Sequence, residues 1–138
     1  MRPHILIVDD DLELQLLFRI ILEHDFEISQ ATCGEQAVAL ARASKLDLIL
    51  LDVMLPDIDG FEVCRQLKAD DRTSATPIIF VTARSDISSL VDQIKPPIED
   101  VIKKPFGPRD LLQRINRIVQ RPAVSREPSA HLSVLAQV

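Results

Sequence analysis

Apolar and polar positions along this chain alternate between two periods. His4–Val8 (HILIV), Leu46–Leu51 (LDLILL), Pro77–Val81 (PIIFV) and Glu99–Lys103 (EDVIK) are short, apolar-rich and β-branched, and Glu27–Thr32 (EISQAT) is a weaker version of the same pattern. Runs that are apolar at nearly every position predict strands buried on both faces, as in a parallel sheet. Between them lie segments with helical spacing. Leu12–His24 carries Leu14, Leu17, Phe18, Ile21 and Leu22 on one predicted core face, with Asp11 as its cap. Gly34–Lys45, Phe61–Ala69, Asp86–Lys95 and Pro108–Gln120 complete the set; Pro96 and Pro97 stop the fourth helix and Pro108 opens the fifth.

Strand and helix thus alternate five times, which predicts an α/β fold: a doubly wound, five-stranded parallel sheet with helices on both faces. Right-handed crossovers fix the winding, and the functional crevice of such a sheet lies at the carboxyl ends of its strands. The pattern dissolves after Arg121, so residues 1–121 read as one domain and 122–138, with Pro122 and Pro128, as a tail or linker.

Composition narrows the class only modestly. With 46% hydrophobic and 27% charged residues the chain is ordinary globular material. A net charge of −5 argues against direct nucleic-acid binding. Arg109, Arg114, Arg117 and Arg121 give the fifth helix a basic side, read first as a solvated face and otherwise as a dimer or partner contact. Cys33 and Cys64 have no ligand-like spacing and read as buried free thiols; His4, His24 and His131 are isolated. No charged-then-apolar leader and no membrane-length apolar run is present, so a cytoplasmic location without membrane contact is the default expectation.

The strand ends change the picture. Strand one ends in Asp9 and Asp10, strand three in Asp52, strand four in Thr82, and strand five is followed by Lys104. Parallel strands bring all five to one edge from separated parts of the chain. Carboxylates crowded together raise one another's pKa, and a divalent cation relieves that. An oxygen-only donor set favours Mg²⁺ over zinc. A carboxylate is also a nucleophile toward phosphorus, and the charge that develops on phosphoryl oxygens then calls for Lys104 and the Thr82 hydroxyl.

The motifs ILIVDDD (Ile5–Asp11), LILLDVMLPDIDGFEV (Leu48–Val63), PIIFVTA (Pro77–Ala83) and KPF (Lys104–Phe106) resemble the receiver domain of two-component response regulators, over the chain from about Arg2 to Gln120. The resemblance implies that Asp52 accepts a phosphoryl group. It implies that Asp10, Asp52 and the Met54 carbonyl ligate Mg²⁺ (or Mn²⁺), with Asp9 acting through water. Lys104 would pair with the phosphoryl group, the bond to Pro105 would be cis, and Thr82 would move on phosphorylation. It further implies a histidine kinase or phosphotransfer protein as donor, a signalling switch rather than an enzyme, and an output or homodimer face on helix four, strand five and helix five. Two departures stand out: Val101 replaces the usual strand-five aromatic, and Pro97-Ile98, after Pro96, replaces a Gly-Ala pair. These leave a degenerate receiver serving as a constitutive binding or dimerisation module as one alternative. A small Mg²⁺-dependent phosphohydrolase with an aspartyl phosphate is a more remote one.

Overall fold

The computed structural model describes residues 2–95 and 97–120. Its elements are β1 (His4–Val8), α1 (Leu12–Leu22), β2 (Glu27–Ala31), α2 (Gly34–Ala43), β3 (Leu48–Leu51), α3 (Gly60–Lys68), β4 (Ile78–Thr82), α4 (Ile87–Val91), β5 (Asp100–Lys103) and α5 (Pro108–Val119). All strand pairs are parallel, in the order β2-β1-β3-β4-β5. The tail from Arg121, with His131, lies outside the described residues.

The period of two along each strand divides the core into two layers. Leu6, Val8, Ile49, Leu51, Ile78 and Phe80 face one side, packing on Ala37, Val38 and Ala41 of α2 and on Val63, Cys64 and Leu67 of α3. Ile5, Ile7, Leu48, Leu50, Ile79 and Val81 face the other, against Phe18 and Leu22 of α1 and Leu111, Ile115 and Ile118 of α5. Strands β1, β3 and β4 are therefore apolar on both faces, which is why they read as continuous hydrophobic runs.

Several sequence expectations shift. Leu17 is not core: it is exposed on α1 beside Leu12, Leu16 and Ile20, while polar Gln15 shares the buried row with Phe18 and Leu22. Cys33 is only half-buried, although Cys64 is buried as expected. Arg114 is not simply solvated, for it pairs with Asp100 and Asp110. Helix α4 covers five residues rather than Asp86–Lys95. Its end tightens into i→i+3 bonds from Gln93 to Leu90 and from Ile94 to Val91. A residue before proline also avoids the helical region, so Lys95 opposes continuation.

Candidate functional site

The carboxyl ends of β1 and β3 are adjacent, with Val8 opposite Leu51, so the residues that follow them emerge side by side. On the other flank Thr82 of β4 stands opposite Lys103 of β5, which places Lys104 at the same edge. The tertiary fold thus gathers Asp9, Asp10, Asp52, Thr82 and Lys104 from four strand ends.

Asp9 and Asp52 are buried, only 2% and 3% exposed, while Asp10 is exposed. One carboxylate oxygen from each of the three lies within 4.8 Å of the others, close enough for one metal ion to span. Lys104 Nζ bridges the two buried acids, donating to Asp9 Oδ2 at 2.7 Å and to Asp52 Oδ2 at 2.8 Å. The other Asp9 oxygen accepts from the Asp11 amide (2.9 Å), and Asp52 Oδ1 accepts from the Met54 amide (3.2 Å). Burial raises the Asp9 carboxyl pKa, against the pull of Lys104 and the Asp11 amide. Burial alone would lower the Lys104 ammonium, but the hydrogen bonds and charges of Asp52 and Asp9 outweigh it and hold it above its ordinary value.

Thr82 is fully buried, and its Oγ1 accepts from the Arg84 amide at 3.3 Å. Among the described residues its hydroxyl hydrogen has no protein acceptor. The Lys104–Pro105 bond is cis, and Phe106 stacks on Phe18 with ring centroids 5.3 Å apart, tying the loop after Lys104 to α1. Val101 is half-buried against the α2–α3 layer and pairs in register with Phe80. An aromatic cluster lies nearby, but on α3: Phe61 meets Phe80 edge-on at 5.4 Å, and the Arg84 guanidinium sits 6.0 Å from the Phe61 ring.

The loop after Asp52 is clamped by residues that motif reading did not single out. A Cβ at Gly60 would collide with the Asp52 carbonyl oxygen and come within 2.8 Å of Val53 Cα, so α3 starts directly against the backbone of the acid. Asp57 reaches across to α2, accepting from the amides of Gly34 (2.7 Å) and Glu35 (2.8 Å). It thereby caps a helix whose own N-cap residue, Cys33, makes no side-chain bond. These amide bonds lower its pKa to about 2. Gln15, placed in the buried row by its spacing from Phe18 and Leu22, was the one residue with a readable signal: a polar side chain on an apolar stripe.

Comparison with known proteins places this geometry in context. The response regulator receiver domain family model matches residues 5–116. The transcriptional regulatory protein ResD of Bacillus subtilis (strain 168) is 39% identical over 118 residues, 85% of this chain and 48% of that protein. The DNA-binding response regulator MtrA of Mycobacterium tuberculosis (strain ATCC 25618 / H37Rv) is 38% identical over 135 residues, 97% of this chain and 57% of that protein. The chain spans about half the length of the curated relatives it matches. Among solved structures, the CheY-like receiver domain protein from Methanospirillum hungatei JF-1 superposes with a TM-score of 0.79 at 28% identity, covering 87% of this chain and 95% of that one. The receiver domain of the sensor histidine kinase PA1611 from Pseudomonas aeruginosa PAO1, described with a magnesium ion coordinated in its active-site cleft, superposes with a TM-score of 0.78 at 27% identity, covering 87% and 99%.

Proposed function

The chain belongs to the response regulator receiver domain family, and from that premise we propose that Asp52 accepts a phosphoryl group from a phosphohistidine donor in a Mg²⁺-dependent reaction. The observation that carries this reading is the Lys104 bridge: one ammonium holds the two buried carboxylates Asp9 and Asp52 at 2.7 and 2.8 Å. An ammonium fixed there, and kept charged by its partners, is an electrostatic clamp in place before any charge develops.

The donor set fits a hard divalent cation. It is made of carboxylate oxygens alone, with one oxygen from each of Asp9, Asp10 and Asp52 clustered within 4.8 Å and no histidine or cysteine among them. Asp10, Asp52 and the Met54 carbonyl would hold Mg²⁺, or Mn²⁺, with Asp9 acting through water. When bound, the cation neutralises charge on the carboxylates and on the phosphoryl oxygens.

The protein's own residues do the rest. The Asp52 carboxylate attacks phosphorus; an O–P bond forms as the donor's N–P bond breaks, and its electron pair returns to the imidazole. Lys104 remains beside Asp52 and meets a phosphoryl oxygen. Thr82 has a buried hydroxyl hydrogen without a protein acceptor among the described residues, so a phosphoryl oxygen offers it a partner. The Arg84 amide is bonded to the same Oγ1, and the β4–α4 loop follows any movement of Thr82. Such an event biases a two-state segment, so the domain acts as a switch rather than a turnover enzyme.

The partners are a histidine kinase or phosphotransfer protein and, for output, a second copy or another protein at the α4–β5–α5 face. No described helix is long and apolar enough to cross a membrane; a cytoplasmic setting is part of the proposal. MtrA is named as DNA-binding, but a direct nucleic-acid role for this half is not proposed. Its Arg84 and Arg114 guanidinium groups are already paired with carboxylates. The test is acetyl phosphate labelling followed by intact-mass measurement. The wild-type chain gains one phosphoryl group only when Mg²⁺ is present. Turnover of a generic phosphate ester without a labelled protein would instead favour a phosphohydrolase.

A further inference from the structure

Three backbone carbonyls at the site end of β1 and β2 converge on one side chain. Gln15 Nε2 donates to Ala31 O at 2.9 Å, Asp9 O at 3.0 Å and Ile7 O at 3.2 Å. Gln15 is only 5% exposed. The orientation of its amide is fixed on both sides. Backbone carbonyls only accept, so the nitrogen must face them. The oxygen and the Gln15 main-chain carbonyl both accept from Gln30 Nε2, at 2.8 and 2.9 Å. Gln30 is held in turn by the Arg19 guanidinium, at 2.9 and 3.3 Å from its Oε1.

The Asp9 carbonyl belongs to the peptide that joins Asp9 to Asp10. Asp9 has other restraints, since its carboxylate is fixed by Lys104 and the Asp11 amide. Asp10 has none of that kind: among the described residues no side-chain hydrogen bond or ion pair holds it. Its carboxylate stands where its backbone puts it, and the side chain that grips this backbone is Gln15. The chain closes on itself here, because Asp11 caps α1 and α1 carries Gln15 back to the Asp9 carbonyl.

We propose that Gln15 is a positioning residue for the acidic cluster: by holding the Asp9–Asp10 peptide it sets the placement of Asp10 against Asp52, and with it the affinity of the crevice for a divalent cation. This rests on the reading that Asp9, Asp10 and Asp52 hold such a cation. Supporting groups behind metal ligands typically change affinity by about ten-fold or more when removed, without touching the ion.

The experiment is calorimetric titration of the purified chain with Mg²⁺, alongside thermal unfolding. Gln15→Leu keeps the apolar volume and removes the amide. Thr73→Val is the control for lost stability alone: Thr73 is buried, bonds Leu67 O at 2.6 Å and precedes β4 at the opposite end of the sheet. The expected result is an affinity about ten-fold weaker in Gln15→Leu and unchanged in Thr73→Val. A folded Gln15→Leu that binds Mg²⁺ like the wild type overturns the inference and leaves the proposed function standing. If Gln15→Leu does not fold, Gln15→Met, which keeps the length of the side chain and removes the amide donors to the Ile7, Asp9 and Ala31 carbonyls, replaces it. Weaker binding there supports the inference, and wild-type binding overturns it. A wild-type chain that binds no Mg²⁺ overturns both readings.

Discussion

Where β1 and β3 end, each buried acid is fixed on both oxygens: Asp9 by Lys104 and the Asp11 amide, Asp52 by Lys104 and the Met54 amide. Behind them stand strands buried at every residue except the half-buried His4. Along the edge formed by α4 and β5 the construction is thinner. Helix α4 is five residues long, and its N-cap residue Asp86 makes no capping bond because its carboxylate is engaged by Arg84. Only Ile87 of that helix is buried, and Val101 of β5 is half-buried. The contrast suits the two tasks proposed for these regions. Phosphoryl transfer requires groups preorganised around developing charge, which a doubly buried sheet supplies. A segment that changes conformation must sit at the low-stability end of the molecule.

The largest test of that contrast compares equal truncations in the two regions. Leu50→Ala removes a fully buried side chain from the central strand, and a loss of about 3 kcal/mol is expected in urea unfolding. Leu90→Ala on α4 should cost less than about 1 kcal/mol. Similar losses at the two sites would break the comparison. Within the chemical region, Lys104→Ala removes the shared ammonium. Labelling of Asp52 by acetyl phosphate should slow by about 100-fold, as when one preorganised donor is lost; an unchanged rate would mean that the bridge is structural only.

A smaller effect is expected at the clamp on α2. The Asp57 carboxyl has its pKa lowered to about 2 by the amides it caps, so the fold favours its charged form. That stabilisation is present above the ordinary carboxylate range, about pH 4, and is lost as the pH falls through about 2. Asp57→Asn should therefore be less stable than the wild type at neutral pH, and the difference should close in acid. A gap as large at pH 2 as at neutral pH would point to packing rather than charge. The smallest stability change belongs to Arg84→Ala, where an exposed ion pair with Asp86 is lost; about 0.5 kcal/mol or less is expected. Amide shifts in α4 should nonetheless move, while Asp52 labelling stays intact. Slowed labelling would place Arg84 in the chemistry instead of the readout.

The sequence disclosed the site far better than its supports. Asp9, Asp10, Asp52, Thr82 and Lys104 were legible because each ends or follows a strand, and parallel strands leave one place for such ends to meet. Asp57 was not legible as a cap, since its partners Gly34 and Glu35 lie 23 and 22 residues away and no local pattern links them. Gln15 interrupted an apolar stripe, yet the five carbonyl and amide contacts that make it useful are almost all tertiary. The length of α4 was overstated because periodicity continues to Lys95, while the backbone tightens after Val91. Leu17 was misplaced for a related reason: helical spacing marks a face, but Leu12, Leu16, Leu17 and Ile20 form a second apolar strip that faces solvent.

Whether Asp52 takes the phosphoryl group is read by intact-mass measurement after acetyl phosphate treatment. The expected result is one added phosphoryl group that requires Mg²⁺ and is absent in Asp52→Ala. Labelling that survives Asp52→Ala, or a folded wild-type chain that is never labelled with Mg²⁺ present, would contradict it.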